Sequence, residues 1–141
     1  MSGLTGVTLH PVLRSLRITP FHVLLETTAP FHAPPFKGPL LRSGLGATLR
    51  SLECTTSLPS CGGCPEQLSC FYYQFFETPG TGSGENGQNR KPPHPFALIP
   101  PLDARANIGP GERLHVRLVL YGDPLRWLPQ LQFALRVMGA S

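Results

Sequence analysis

Apolar and polar residues first alternate at Ile18–Glu26, where Phe21, Val23 and Leu25 interleave with His22, Leu24 and Glu26. A period of two puts successive side chains on opposite faces, so this stretch predicts a strand. Pro30–Pro39 cannot be helical, because each proline lacks an N–H and pushes its predecessor toward extended geometry. From Pro39 the period changes. Leu41, Leu45, Leu49 and Leu52 fall at i, i+4, i+8 and i+11, which makes one apolar stripe of a helix flanked by Arg42 and Arg50. Gly44 and Gly46 interrupt that helix, each at about 1 kcal/mol relative to alanine. Their presence predicts a close approach to the backbone by a strand or a nucleic-acid phosphate.

Further along, His94–Pro100 reads as a short strand bounded by prolines, and Gly109-Pro-Gly111 as a turn. Glu112–Tyr121 is the clearest strand. Leu114, Val116, Leu118 and Leu120 take one face, and Arg113, His115 and Arg117 the other. Gly122-Asp-Pro124 opens the last helix with Asp123 as a candidate cap. Leu128, Leu131, Leu135 and Met138 keep helical spacing, Gly139 is the expected stop, and Pro129 implies an irregular opening turn. The order is strand, helix, strand, strand, helix. It predicts an α+β domain on the ferredoxin-like (RRM-like) plan, lacking that plan's last strand. Either Val7–Arg17 fills the slot or the chain is truncated, and truncation is the expectation.

Composition bounds this picture. At 141 residues the chain is a single domain, 1–141, and 17 prolines and 15 glycines imply short elements with frequent turns. Residues 79–93 have the composition of a flexible linker, and their glycines lack the Gly-Lys-Ser/Thr ending of a phosphate loop. Twelve basic against eight acidic residues lean mildly toward an anionic partner. No apolar run reaches the ~18 residues of a membrane span, and the start has no basic head or long apolar stretch. A reducing cytoplasm is therefore the expected location.

In that compartment Cys54-x6-Cys61-x2-Cys64-x5-Cys70, within a cysteine-rich insertion at 54–77, points to a structural zinc site. Buried free thiols or one disulfide are the alternatives. The aromatic run Phe71–Phe76 that closes the insertion reads as core more than as a base-stacking platform. Arg113 and Arg117, with Arg42 and Arg50, are candidate phosphate contacts or an ordinary solvated face. Cleavage of RNA by a neighbouring 2′-hydroxyl needs a base, an acid and a stabilising charge. His32, with Lys37 nearby in the proline-rich connector, is the best placed set for that chemistry.

Several motifs in order carry a resemblance. Phe36-Lys-Gly-Pro-Leu-Leu-Arg-Ser-Gly-Leu-Gly46 opens the first helix, and Cys61-Gly-Gly-Cys64, Cys70-Phe-Tyr-Tyr and Phe76-Glu77 mark the insertion. Pro93-His-Pro-Phe-Ala-Leu-Ile-Pro-Pro101 and Pro110-Gly-Glu-Arg-Leu114 cover the next strands; Leu120-Tyr-Gly-Asp-Pro124 and Leu128-Pro-Gln-Leu131 lead into the second helix. From about residue 18 onward the chain resembles the CRISPR-associated repeat-processing endoribonucleases of the RAMP superfamily. The resemblance implies tandem ferredoxin-like domains in a protein about twice this length, CRISPR repeat RNA as partner, and metal-independent cleavage. Many members use a histidine near the first helix; the position after Gly46 is Ala47. This chain alone is accordingly expected to bind RNA and not to cut it. The alternatives are a non-catalytic RAMP subunit of an effector complex, in contact with other CRISPR-associated proteins, and a zinc-stapled interaction module.

Overall fold

A computed structural model describes residues 11, 15–78 and 93–140. Five strands are present among them: β1 (Ile18–Glu26), β2 (Phe31–His32), β3 (Phe96–Ile99), β4 (Asn107–Ile108) and β5 (Arg113–Tyr121). Helix α1 (Gly38–Glu53) lies between β2 and β3, and α2 (Leu128–Ala140) follows β5. A π-helical turn (Tyr73–Glu77) ends the cysteine insertion, and a 3-10 turn (Pro124–Arg126) precedes α2. The expected linker at 79–93 falls outside the described residues except for Pro93, as does Val7–Arg17 except for Pro11 and Ser15–Arg17.

The protein is a mixed α/β domain on an antiparallel sheet of order β1-β5-β3. β5 is central. It pairs with β1 from Ile18 opposite Tyr121 to Glu26 opposite Arg113, and with β3 from Phe96 opposite Leu120 to Ile99 opposite Arg117. Alternation fixes that register, since a one-residue slip would turn Leu114, Val116, Leu118 and Leu120 out of the core. The expected opening of α2 also has its physical cause on view. Asp123 accepts the Leu125 N–H at 3.1 Å and caps the 3-10 turn, and Pro129 sits in the first turn of α2, where its missing donor is harmless.

Two expectations are corrected, and the extended character of the connector is borne out. The stripe of α1 buries Leu41, Leu45 and Leu49, whereas Leu52, in its last turn, is exposed. Gly139 does not stop α2, which continues through Ala140. The proline-rich connector holds β2, which pairs with β4 as a second small sheet over Ala33, Ile108 and Leu114.

What approaches the glycines of α1 is aromatic and apolar. A Cβ on Gly46 would stand 2.5 Å from Cζ of Phe76, and one on Gly44 would stand 3.4 Å from Sδ of Met138. The Phe76 ring cannot simply swing away. It stacks on Tyr72 at 5.5 Å and Phe96 at 5.8 Å, and the Arg42 guanidinium lies 4.9 Å from its centre. Gly46→Ala is therefore expected to destabilise the domain by about 1–2 kcal/mol, even though the substitution alone favours a helix by about 1 kcal/mol. Denaturant melts of Gly46→Ala, Phe76→Leu and the double variant test this. Additive losses would show that the ring and the glycine do not meet.

Candidate functional site

The inner face of the sheet packs Leu118 and Leu120 against Leu45 and Leu49 of α1 and Leu131 and Ala134 of α2. Alternation puts the other residues of β5 on the opposite face, which α1 and α2 do not cover. On it β5 presents Arg113, His115 and Arg117, all exposed. Register brings residues of β1 alongside: His22 is opposite Arg117, Leu24 opposite His115, and Glu26 opposite Arg113. Arg113 Nε donates to Glu26 Oε2 at 3.1 Å, whereas Arg117 has no ion-pair partner among the described residues. His22 was absent from the candidates read in the sequence. Its place on the polar face was visible in the alternation, but its meeting with Arg117 depends on the pairing of β1 with β5.

This face floors an open groove of about 590 Å³, whose far wall is the segment after β3, including Leu102 and Arg105. Arg105 is spent locally. It pairs with Asp103 at 2.5 Å and with Glu112, and Glu112 also accepts the Gly109 N–H. The Arg105 side-chain hydrogen bond pulls the Asp103 carboxyl down to about 2. The Gly109 amide, followed by Arg105, lowers that of Glu112. Asp103 and Glu112 share the one guanidinium of Arg105, so that cluster keeps a net negative charge, and the positive charge without an ion-pair partner among the described residues of the face is that of Arg117, with His22 and His115 beside it.

The arginines of α1 belong to the opposite layer. Arg42 lies over Phe76 and Phe96, at 4.9 and 5.0 Å. Arg50 Nη2 donates to the Leu58 carbonyl at 2.7 Å and the Pro59 carbonyl at 3.1 Å, which ties the insertion to α1. A second groove, of about 670 Å³, runs past Ala47, Arg50, Ser51 and Tyr72 on this side. Burial, and then the hydrogen bond that Tyr72 donates to Glu77 at 2.8 Å, push the Tyr72 phenol well above its ordinary range. The four candidate arginines are therefore not one surface but two pairs on opposite sides of the sheet.

His32 is exposed on β2, its Nδ1 3.0 Å from Asn107 Oδ1. Lys37 is 1% exposed, and its Nζ donates to the carbonyls of Asp103 at 2.7 Å and Arg105 at 2.8 Å. Its ammonium anchors the β3–β4 connection to the start of α1 and is not presented to a substrate.

Cys54, Cys61, Cys64 and Cys70 all line one cavity of about 20 Å³. The Ser57 amide holds the Cys54 thiol below its ordinary value, and burial raises that of Cys61. Among the described residues no three His, Cys, Asp or Glu side chains already stand as a metal-ligating group, and no helix is long and apolar enough to cross a membrane.

Fold and site together define an α/β domain with one sheet face covered by α1 and α2 and an opposite face that exposes Arg113, His115 and Arg117. The chain belongs to the AF_1859_N family, described as an N-terminal domain, which matches residues 16–141. A relative from Archaeoglobus fulgidus, described as an uncharacterized protein, is 31% identical over 109 residues. That alignment covers 77% of this chain and 36% of the relative, so the chain spans little more than a third of that protein's length. No solved structure matches the chain.

Proposed function

We propose that this chain is the RNA-binding, amino-terminal portion of a cytoplasmic CRISPR precursor-RNA processing endoribonuclease of the RAMP superfamily, built on the ferredoxin-like plan. The order β1-β5-β3, with α1 leading from β1 toward β3, fits the split β-α-β arrangement of that plan. The observation that carries the reading is the open sheet face. There Arg117, without an ion-pair partner among the described residues, lies beside His22 and His115 over an open groove of about 590 Å³. Arginine on such a face contacts phosphates and positions the chain of a nucleic acid. Leu24, Ile99 and Leu102 are exposed around it and offer bases an apolar floor. Cleavage by 2′-hydroxyl attack, without metal, belongs in this reading to the whole protein. Within this segment Lys37 is enclosed, His32 is held by Asn107, and Ala47 stands where the family resemblance leads one to expect a histidine.

The test uses labelled CRISPR repeat RNA across a range of salt. Arg113→Glu with Arg117→Glu is expected to weaken binding about tenfold or more at low salt. It should flatten the slope of log K against log salt by roughly 0.7 for each phosphate no longer neutralised. Arg42→Ala with Arg50→Ala should leave the slope unchanged, since those groups lie on the other layer. Equal binding by the sheet variant at every salt concentration would sink the reading. In chelator the same incubation should yield no cyclic-phosphate product; a product that His32→Ala abolishes would place the cleavage chemistry in this segment.

A further inference from the structure

The cysteine insertion packs against the core on the side of α1 and α2, away from the exposed arginines of β5. We propose that Cys54, Cys61, Cys64 and Cys70 together hold one zinc ion as a tetrahedral tetrathiolate that staples the insertion to the end of α1. The four residues arrive from different pieces of chain and still line the same cavity. Cys54 is the C-cap of α1, its N–H on the Arg50 carbonyl at 2.9 Å. Cys61 and Cys64 end a tight turn in which the Cys64 N–H donates to the Cys61 carbonyl at 3.2 Å. Gly63 holds that turn at φ 75°, a conformation open to glycine. Cys70 enters the helical stretch before the π turn, its N–H on the Glu66 carbonyl at 2.8 Å.

A volume of about 20 Å³ is on the scale of one ion or one water. All four thiols are free of disulfides. The Thr56 hydroxyl lies 3.5 Å from Cys64 Sγ and 4.0 Å from Cys54 Sγ, so these two sulfurs flank a single oxygen. Four thiolates around one small site suit zinc, with each Zn–S bond at about 2.3 Å. As the metal enters, the four thiols release four protons. The resulting site carries two net negative charges. Arg50, on the cavity wall and already tied to Leu58 and Pro59, offsets them. Glu66 also lines the cavity, but its Oε2 accepts the Ser69 hydroxyl at 2.9 Å.

The zinc site is independent of the RNA reading and is tested without RNA. The full-length protein, purified under reducing conditions without added metal, is expected to contain about one zinc per chain by elemental analysis. Titration with an organomercurial should release that zinc as the four thiols react. Cobalt(II) exchanged into the site should show the intense visible bands of tetrahedral thiolate coordination. Cys61→Ser with Cys64→Ser should lose the metal. Because that variant can fail to fold, the wild-type titration decides the matter. Four thiols that react freely with no metal released, a disulfide among them, or iron in place of zinc would each overturn the assignment.

Discussion

Lys37→Met is expected to lower the stability of the domain by about 3 kcal/mol and its Tm by roughly 10 °C. The methionine keeps most of the apolar stem that fills the space at the start of α1. What is removed is the ammonium, which is almost wholly enclosed and donates to the carbonyls of Asp103 and Arg105 at 2.7 and 2.8 Å. Hydrogen bonds from a charged donor contribute about 1.5–3 kcal/mol each, and these two carbonyls, with that of Pro34 at 3.4 Å, are left without it. Relief from burying a charge offsets part of the sum. Denaturant melts measure the loss, and RNA binding measured where both forms are folded should be unchanged. A variant as stable as its parent, but defective with RNA, would make Lys37 a site residue after all.

Phe75→Ala should cost more, about 4 kcal/mol. Its ring is fully enclosed and joins the insertion to the rest of the core. It stacks on Phe71 at 5.4 Å and on Phe96 of β3 at 4.6 Å, and it meets Trp127 ahead of α2 at 5.3 Å. Three separate pieces of chain therefore border the cavity that alanine would leave, and none can fill it without pulling away from its own neighbours. Leu68→Ala is the control, in the same insertion but 92% exposed; it should change stability by less than about 0.5 kcal/mol. Comparable losses for the two would mean that the aromatic run is not core.

Elements with a long period were legible in the sequence, and so was their order. β1 alternates over nine residues and β5 over its first six, and α1 carries three of its four stripe leucines into the core. β2 and β4 have two residues each, too few to show any period, and form only because Phe31 meets Ile108 across the fold. Lys37 gave no sign of burial, because its partners are carbonyls 66 and 68 residues away. The glycines of α1 correctly announced a close approach, but nothing local named Phe76 as its source. The site was legible in the same partial way. The polar side of β5 was evident, whereas its division from Arg42 and Arg50 required knowing which face the helices cover.

The π turn carries a constraint of another kind. The Thr78 N–H reaches back five residues to the Tyr73 carbonyl at 2.9 Å, one residue more than an α turn holds. Each residue of an α-helix advances the chain by about 100°, so the extra one sets the angular phase at which Phe75 and Phe76 leave the backbone. Phe75 thereby reaches Trp127, while Phe76 reaches Gly46 and Arg42. Length between Cys70 and Thr78 is thus a structural constraint separate from composition. A homologue that keeps both rings but drops a single residue there would send Phe76 about a quarter turn away from α1, and its counterpart of Gly46 would be free to become alanine.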